Sequence, residues 1–186
     1  MIYLSNDAGA TWTPAYPAIN TWSCVASSAD GTKLVAAATI TAATDGGLSL
    51  SSDGRVYVSA NSGVTWASSG QRDNWKSVAV SADGTKLVAA VGSSVQSGLG
   101  RIYVSTNSGW TWQQSMESTN HWVSVASSAD GTRLVAADPF GCPCGPATGR
   151  IYVSSDSRVS WSLTGASNEV WTAVASSADG TKYPNS

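Results

Sequence analysis

Apolar positions in this chain come in short runs separated by polar turns, and no run carries the three-to-four-residue spacing of a helix. One stretch shows the pattern well. Trp75-Lys76-Ser77-Val78-Ala79-Val80 reads as a strand, Ser81-Ala82-Asp83-Gly84 as a turn, and Thr85 to Ala90 as a second strand. Asp in such a turn accepts from the following backbone N–H groups, and Gly takes the positive φ that closes it. A segment of irregular composition then leads to Arg101–Thr106, a third strand. Asn107-Ser108-Gly109 turns the chain into a fourth strand, expected around Thr111-Trp112. Strict alternation is incomplete, because residues of both parities are often apolar or small. Sheets covered on both faces look like this, and abundant Ala and Ser permits close sheet packing.

The same unit recurs four times. Ile2 to Trp12 returns as VYVSANSGVTW from Val56, IYVSTNSGWTW from Ile102 and IYVSSDSRVSW from Ile151. A second block, Thr21 to Ala37, returns from Asn74 and from His121, and in shortened form from Val170. A period of about 49 residues built from strands predicts radially arranged or stacked units. The expected fold is all-β, a β-propeller of four-stranded antiparallel blades. Its parts are a half blade (1–20), three blades (21–66, 74–112 and 121–161) and a closing half blade (170–186). Two strands at each end leave two arrangements open: a closed four-bladed ring sealed by 2+2 strand pairing, or an arc of a larger propeller. The opening in mid-repeat favours a fragment, whereas Pro184 would remove a ladder donor from the last strand in either case.

The first block resembles the Asp-box, or bacterial neuraminidase repeat, S-x-D-x-G-x-T-W. Ser5, Asp7, Gly9, Thr11 and Trp12 match it fully. Asn61 and Asn107 replace the Asp in the next two copies, which keep Gly63 and Gly109; the last copy keeps Asp156 but has Arg158 and Ser160 for Gly and Thr. The resemblance covers essentially the whole chain. It implies that Asp7, Gly9, Asn61, Gly63, Asn107, Gly109 and Asp156 are structural turn residues between the third and fourth strands of a blade. Propellers of this type include sialidases, sortilin-like receptors and photosystem II assembly factors, so the resemblance implies a fold rather than an activity.

Composition narrows the classes. The 186 residues carry a net charge of -2 with 12% charged residues, and nine Trp stand against one Phe. There is no basic stripe for nucleic acid, no apolar run long enough for a membrane span, and no secretory leader in Met1–Ser5. The compartment expected is extracellular or cell-surface for a fragment of a secreted protein, and intracellular otherwise. No cofactor and no metal are expected, since each turn supplies one carboxylate or amide while a calcium site gathers six to eight oxygens.

Repetition also argues against most apparent chemistry. Arg55, Arg101 and Arg150 resemble the arginine triad of a sialidase, and Tyr57, Tyr103 and Tyr152 its nucleophile, but each set occupies one repeat position. A scaffold residue recurs in this way; an active site breaks the symmetry. Glycoside hydrolysis needs two carboxylates some 5 to 9 Å apart, and only Asp45, Asp53, Asp73, Glu117, Asp138 and Glu169 fall outside the repeated turns. Cys24 reads as a small buried strand residue, while Cys142 and Cys144 form a lone C-x-C that is either a loop disulfide or free thiols. The recurrent Trp residues read as packing groups with locally bonded indoles. Trp110 stands where the other copies have Ala10, Val64 and Val159, which makes it a candidate exposed contact.

The two repeated turns should share one face of the propeller, leaving the variable loops on the other. Loops on a rigid scaffold vary without breaking the core. The expected binding face therefore comprises Tyr16, Asp45, Arg72, Asp73, Glu117, His121, Phe140 and Glu169. The reading is a noncatalytic binding or scaffolding protein engaging protein or glycan, with a sialidase-like glycosidase as the alternative.

Overall fold

A computed structural model describes residues 1–16, 20–40, 52–92, 100–118, 120–139, 149–156 and 160–183. Every regular element among them is a strand. β1 (Ile2–Leu4) pairs with β2 (Thr13–Tyr16) in a two-stranded sheet. Three four-stranded antiparallel sheets follow, and in each the strands are neighbours in chain order. The first holds β3 (Thr21–Ser27), β4 (Leu34–Thr39), β5 (Val56–Ser59) and β6 (Ala67–Ser69). The second holds β7 (Trp75–Val80), β8 (Leu87–Val91), β9 (Gly100–Ser105) and β10 (Gln113–Ser118). The third holds β11 (Ser124–Ser127), β12 (Leu134–Asp138), β13 (Arg150–Ser154) and β14 (Ser162–Leu163).

The second strand of each sheet is the most buried, as its double-sided apolar pattern requires. Val35, Ala36 and Ala37, then Leu87 to Val91, then Leu134 to Ala137 are all buried. The fourth strand starts later than expected. It begins one residue after the Trp that ends each copy of the first repeated block, because the Thr-Trp pair is held in the turn: Thr65 N donates to Asn61 Oδ1 (2.9 Å), and Thr111 N to Asn107 Oδ1 (2.9 Å). The blades thus end near Ser69, Ser118 and Leu163 rather than at 66, 112 and 161.

The sheets sit side by side with their first strands adjacent. Val125 N donates to Ser77 Oγ (3.1 Å), and Val174 N to Ser124 Oγ (3.2 Å). Cys24 occupies the position of Ser77 and Ser124; its half-buried thiol donates to the Val78 carbonyl (3.6 Å). In each blade a Trp in or just before the first strand meets a third-strand Tyr edge to face. Trp22–Tyr57, Trp75–Tyr103 and Trp122–Tyr152 all have ring centroids 5.3 Å apart.

Residues 170–183 continue the series beyond the third sheet, with Trp171 buried against Val135, Ala137 and Ile151. They form no ladder with β1 and β2, so the expected 2+2 sheet is not made within the chain among the described residues. Pro184 lies outside those residues.

Candidate functional site

The two repeated turns are built from a few short bonds. In the turn between the third- and fourth-strand places, Ser5 Oγ donates to Asp7 Oδ1 (2.8 Å) and accepts from Gly9 N (2.7 Å), while Thr11 N donates to Asp7 Oδ1 (2.8 Å). Ser59–Asn61–Thr65 and Ser105–Asn107–Thr111 repeat the arrangement. Only the hydroxyl reverses: Thr11 Oγ1 donates to Asp7 Oδ2, whereas Thr65 and Thr111 Oγ1 accept from the Asn Nδ2. In the last copy Ser160 N and Oγ both donate to Asp156 (3.1 and 2.7 Å). Gly63 and Gly109 take φ of 83° and 84°, a left-handed backbone in which a side chain is strained.

The Ala-Asp-Gly turns use the same chemistry. Asp30, Asp83, Asp130 and Asp179 each accept from a Ser hydroxyl and from the N–H of the Thr two residues on. These hydrogen bonds, the Ser hydroxyl's first, hold the four carboxyls down at about 2. Asp7 is lowered to about 2 as well, chiefly by the Thr11 hydroxyl. Ser62 N donates to the Thr32 carbonyl and Ser108 N to the Thr85 carbonyl, both at 2.8 Å, so the two kinds of turn lie together on one face.

Those turns also link the blades. Ala29 N donates to Ala82 O (2.9 Å), Ala82 N to Ala129 O (2.7 Å) and Ala129 N to Ala178 O (2.8 Å). Lys33 Nζ reaches the Asp83 carbonyl (3.1 Å) and Lys86 Nζ the Asp130 carbonyl (2.8 Å). Two of the Trp residues that end these turns bond across the seams rather than locally: Trp112 Nε1 donates to Ser69 Oγ and Trp161 Nε1 to Ser115 Oγ, both at 2.9 Å. The hydroxyl's position is held by Ala15 in the first copy, and Trp66 Nε1 donates to Gly63 O (3.1 Å) in its own turn. Of the first-strand set, Trp75 Nε1 does bond locally, to Gln71 O (3.2 Å).

On this regular frame one place breaks the repeat. Between the first two complete sheets the turn face opens into a cavity of about 160 Å³, lined by Leu34, Val58, Ala60, Trp66, Leu87 and Trp110, with Lys33, Thr65 and Ser108 supplying polar atoms. The corresponding space at the next seam, bordered by Lys86, Leu87, Val104, Thr106 and Leu134, is about 10 Å³. Ala60 at the first seam becomes Thr106 at the second, and Val80 becomes Ser127. Trp110 is 64% exposed at the cavity's edge.

The expected loop face is only partly assembled by the described residues. Arg72 and Glu169 are exposed and His121 is half-buried, its N–H donating to Asp138 Oδ1 (3.4 Å). Asp73 does not belong to an exposed face. It is fully buried, with Oδ1 accepting from Asn74 N (2.9 Å) and Oδ2 from Gln71 Nε2 (3.4 Å), which fixes the entry to β7. Tyr16 ends β2 and Glu117 lies in β10. Asp45, Phe140, Cys142 and Cys144 lie outside the described residues.

Three of the carboxylates considered for acid–base work, Asp53, Asp73 and Asp138, are engaged within the scaffold. Asp53 accepts from the Tyr57 hydroxyl, and Asp138 caps the entry to the third sheet through His121 N. Arg55 donates to the Gly70 carbonyl of its own sheet (3.1 Å). Among the described residues no three His, Cys, Asp or Glu are grouped for a metal ion, and no helix is long and apolar enough to cross a membrane.

No family model and no curated protein sequence matches the chain. Solved structures do. A GH74 xyloglucanase from Xanthomonas campestris superposes with a TM-score of 0.68 at 15% identity, over 98% of this chain and 32% of that one. TolB from Acinetobacter baumannii gives 0.66 at 14%, over 98% and 42%. A chain of a nidogen/laminin complex gives 0.66 at 10%, over 90% and 57%. These are β-propellers. The chain has the fold of propeller blades. At such identities the likeness is one of fold alone, and the chain spans between a third and just over half of these propeller proteins. They include binding proteins and a glycoside hydrolase, so the fold by itself does not choose between those roles.

Proposed function

We propose that this propeller is a noncatalytic binding or scaffolding protein that engages a glycan or protein, and that its contact centres on the cavity beside Trp110. The observation that carries the reading is the cavity of about 160 Å³ with an exposed indole at its edge, against about 10 Å³ for the space bordered by described residues at the next seam. A shallow site walled by Leu34, Val58 and Leu87, floored by small residues and flanked by Trp66 and Trp110, suits the apolar face of one sugar ring. Indoles offer a flat apolar surface with a polar edge, and Lys33, Thr65 and Ser108 offer hydrogen bonds at the rim.

The variable-loop face remains part of the proposal, with Tyr16, Asp45, Arg72, Glu117, His121, Phe140 and Glu169 as its nominated side chains; Arg72 and Glu169 are exposed there. A sialidase-like activity has less support, because Asp53, Asp73 and Asp138 serve hydrogen bonds within the scaffold. The identification of the first block as an Asp-box rests on its motif and on the hydrogen bonds of Asp7, Asn61, Asn107 and Asp156.

The test is a titration of the chain with a panel of neutral oligosaccharides, followed by tryptophan fluorescence, for the parent and Trp110→Ala. Saturable binding weakened at least tenfold, about 1.4 kcal/mol, by Trp110→Ala supports the reading. Equal binding by both proteins removes the cavity from it.

A further inference from the structure

The propeller arc has two unlike ends, and each lacks what the other offers. At its start, β1 and β2 occupy the third- and fourth-strand places of a blade, as their sequence alignment with β5 and β6 shows. Gly63 confirms the placement: a Cβ there would meet Leu4, the counterpart of Val58, which borders Gly109 at the next seam. Among the described residues, none fills the first- and second-strand places beside β1. A hollow of about 540 Å³ lies there, bordered by Ile2, Tyr3, Trp22, Val25, Leu34 and Trp66.

Equivalent residues measure what is missing. Val25 is 62% exposed, whereas Val78 and Val125 at the same repeat position are 4% and 5% exposed under the preceding blade's first strand. Tyr3 is 51% exposed; Tyr57 and Tyr103 are 6%. A Cβ at Gly31 would meet nothing within 4 Å, while at Gly84 and Gly131 it would run into Lys33 and Lys86 of the preceding blade.

At its other end, residues 171–183 align in sequence with a first strand and the start of a second. Trp171 is the one first-strand Trp with no third-strand Tyr in its own blade, and Tyr3 is the one third-strand Tyr with no first-strand Trp. Lys182 stands at the repeat position of Lys33 and Lys86, the residues that cover the glycine of the next blade. The chain of turn bonds stops at Ala178, the last of the series Ala29, Ala82, Ala129, Ala178.

We propose that the hollow beside β1 receives residues 171–183 of a second copy of this chain, so that two copies complete each other's split blades. The seam so formed repeats the two already inside the chain. Trp171 would meet Tyr3 edge to face, Lys182 would lie over Gly31, and Ala178 N–H would donate to the Ala29 carbonyl. One bond of the series is not made, because Ala173 has no hydroxyl for Val25 N–H where Ser77 and Ser124 serve the next blades. The contact joins unlike surfaces, and with two copies it closes on itself.

The ladder register supplies the test. Leu34 pairs with Ser59, and their counterparts are Tyr183 and Ser5. The 186-residue chain carries Ser5→Cys and Tyr183→Cys, with Cys24, Cys142 and Cys144 replaced by Ser, and is oxidised and run without reductant. Light scattering on the unmodified chain gives its mass. A disulfide-linked two-chain species, with a scattering mass near twice 19.0 kDa, supports the proposal. A 5–183 disulfide inside single chains, or a monomeric mass at micromolar concentration, overturns it. Val25→Asp, at a position exposed in one copy, should give a folded monomer by circular dichroism and light scattering; an unchanged two-copy mass also counts against the proposal. Sugar binding at Trp110 is a separate readout and does not depend on this result.

Discussion

The indole of Trp112 donates to the hydroxyl of Ser69 across the seam between two blades, at 2.9 Å. Trp161 and Ser115 make the same bond one blade further on. In these two blades the repeated turn thus does two things at once: its Asn or Asp folds the turn, and its Trp fastens that turn to the fourth strand of the neighbour. The bond is half-buried, and such a hydrogen bond contributes about 0.5–1.5 kcal/mol net, so Ser69→Ala should lower stability in urea by about that amount. The reverse substitution at the first seam, Ala15→Ser, places a hydroxyl across the seam from Trp66, whose indole now bonds within its own turn. It should raise stability by about 0.5–1 kcal/mol, measured as a shift in the urea midpoint at unchanged slope.

The turn carboxylates predict acid sensitivity. Asp7, Asp30, Asp83, Asp130 and Asp179 are held at about 2, below the ordinary 3.8. A group whose folded pKa is depressed stabilises the fold above its unfolded pKa and loses that contribution as pH falls through the folded one. Stability should therefore be flat above about pH 5 and fall between about pH 4 and pH 2. Asn61 and Asn107 make the same turn without a titrating group, so Asp7→Asn should leave neutral stability nearly unchanged and shrink the acid-dependent loss. Thermal melts from pH 2 to pH 7 check both statements.

Two glycines of the same motif should respond differently. Gly9 and Gly63 both have positive φ, at 90° and 83°, yet a Cβ at Gly9 meets nothing within 4 Å while one at Gly63 comes within 2.1 Å of Leu4. Gly9→Ala should cost only the backbone strain, about 1–2 kcal/mol. Gly63→Ala should cost more, because Leu4 and β1 must move as well. Denaturant midpoints of the two variants decide it, and equal losses would mean that β1 is not seated against that turn.

Much of the fold is legible in the repeats, since identical turns and strands recurring in register leave few alternatives. The first strand expected at Trp75–Val80 coincides with β7 residue for residue. The fourth lies further on than its residues suggest, because Thr111 and Trp112 look like strand residues but are captured by Asn107 and by Ser69. Asp73 looks like a surface acid because it sits among variable residues; its burial depends on the Asn74 N–H that it caps. Trp110 can be picked out by symmetry alone, as the copy that differs. The cavity beside it cannot, since its volume follows from how two neighbouring blades meet, around Leu34, Val58, Ala60 and Leu87. The variable-loop residues are nominated by position, with no contact pattern in the sequence to refine the choice.

Substitutions at the cavity should separate binding from stability. Trp110 is largely exposed, so Trp110→Ala should leave the urea midpoint within about 0.5 kcal/mol of the parent. Ala60→Thr, which copies the closed seam, should also keep the fold and reduce binding. Parallel unfolding and titration curves for both variants check this.

The most direct test is to follow the indole N–H resonances of the nine Trp residues by NMR during titration with the oligosaccharide that binds best. The Trp110 and Trp66 resonances should shift together and saturate, while those of buried Trp75 and Trp122 stay in place. Saturable binding that leaves Trp110 and Trp66 unmoved would contradict a site at that cavity.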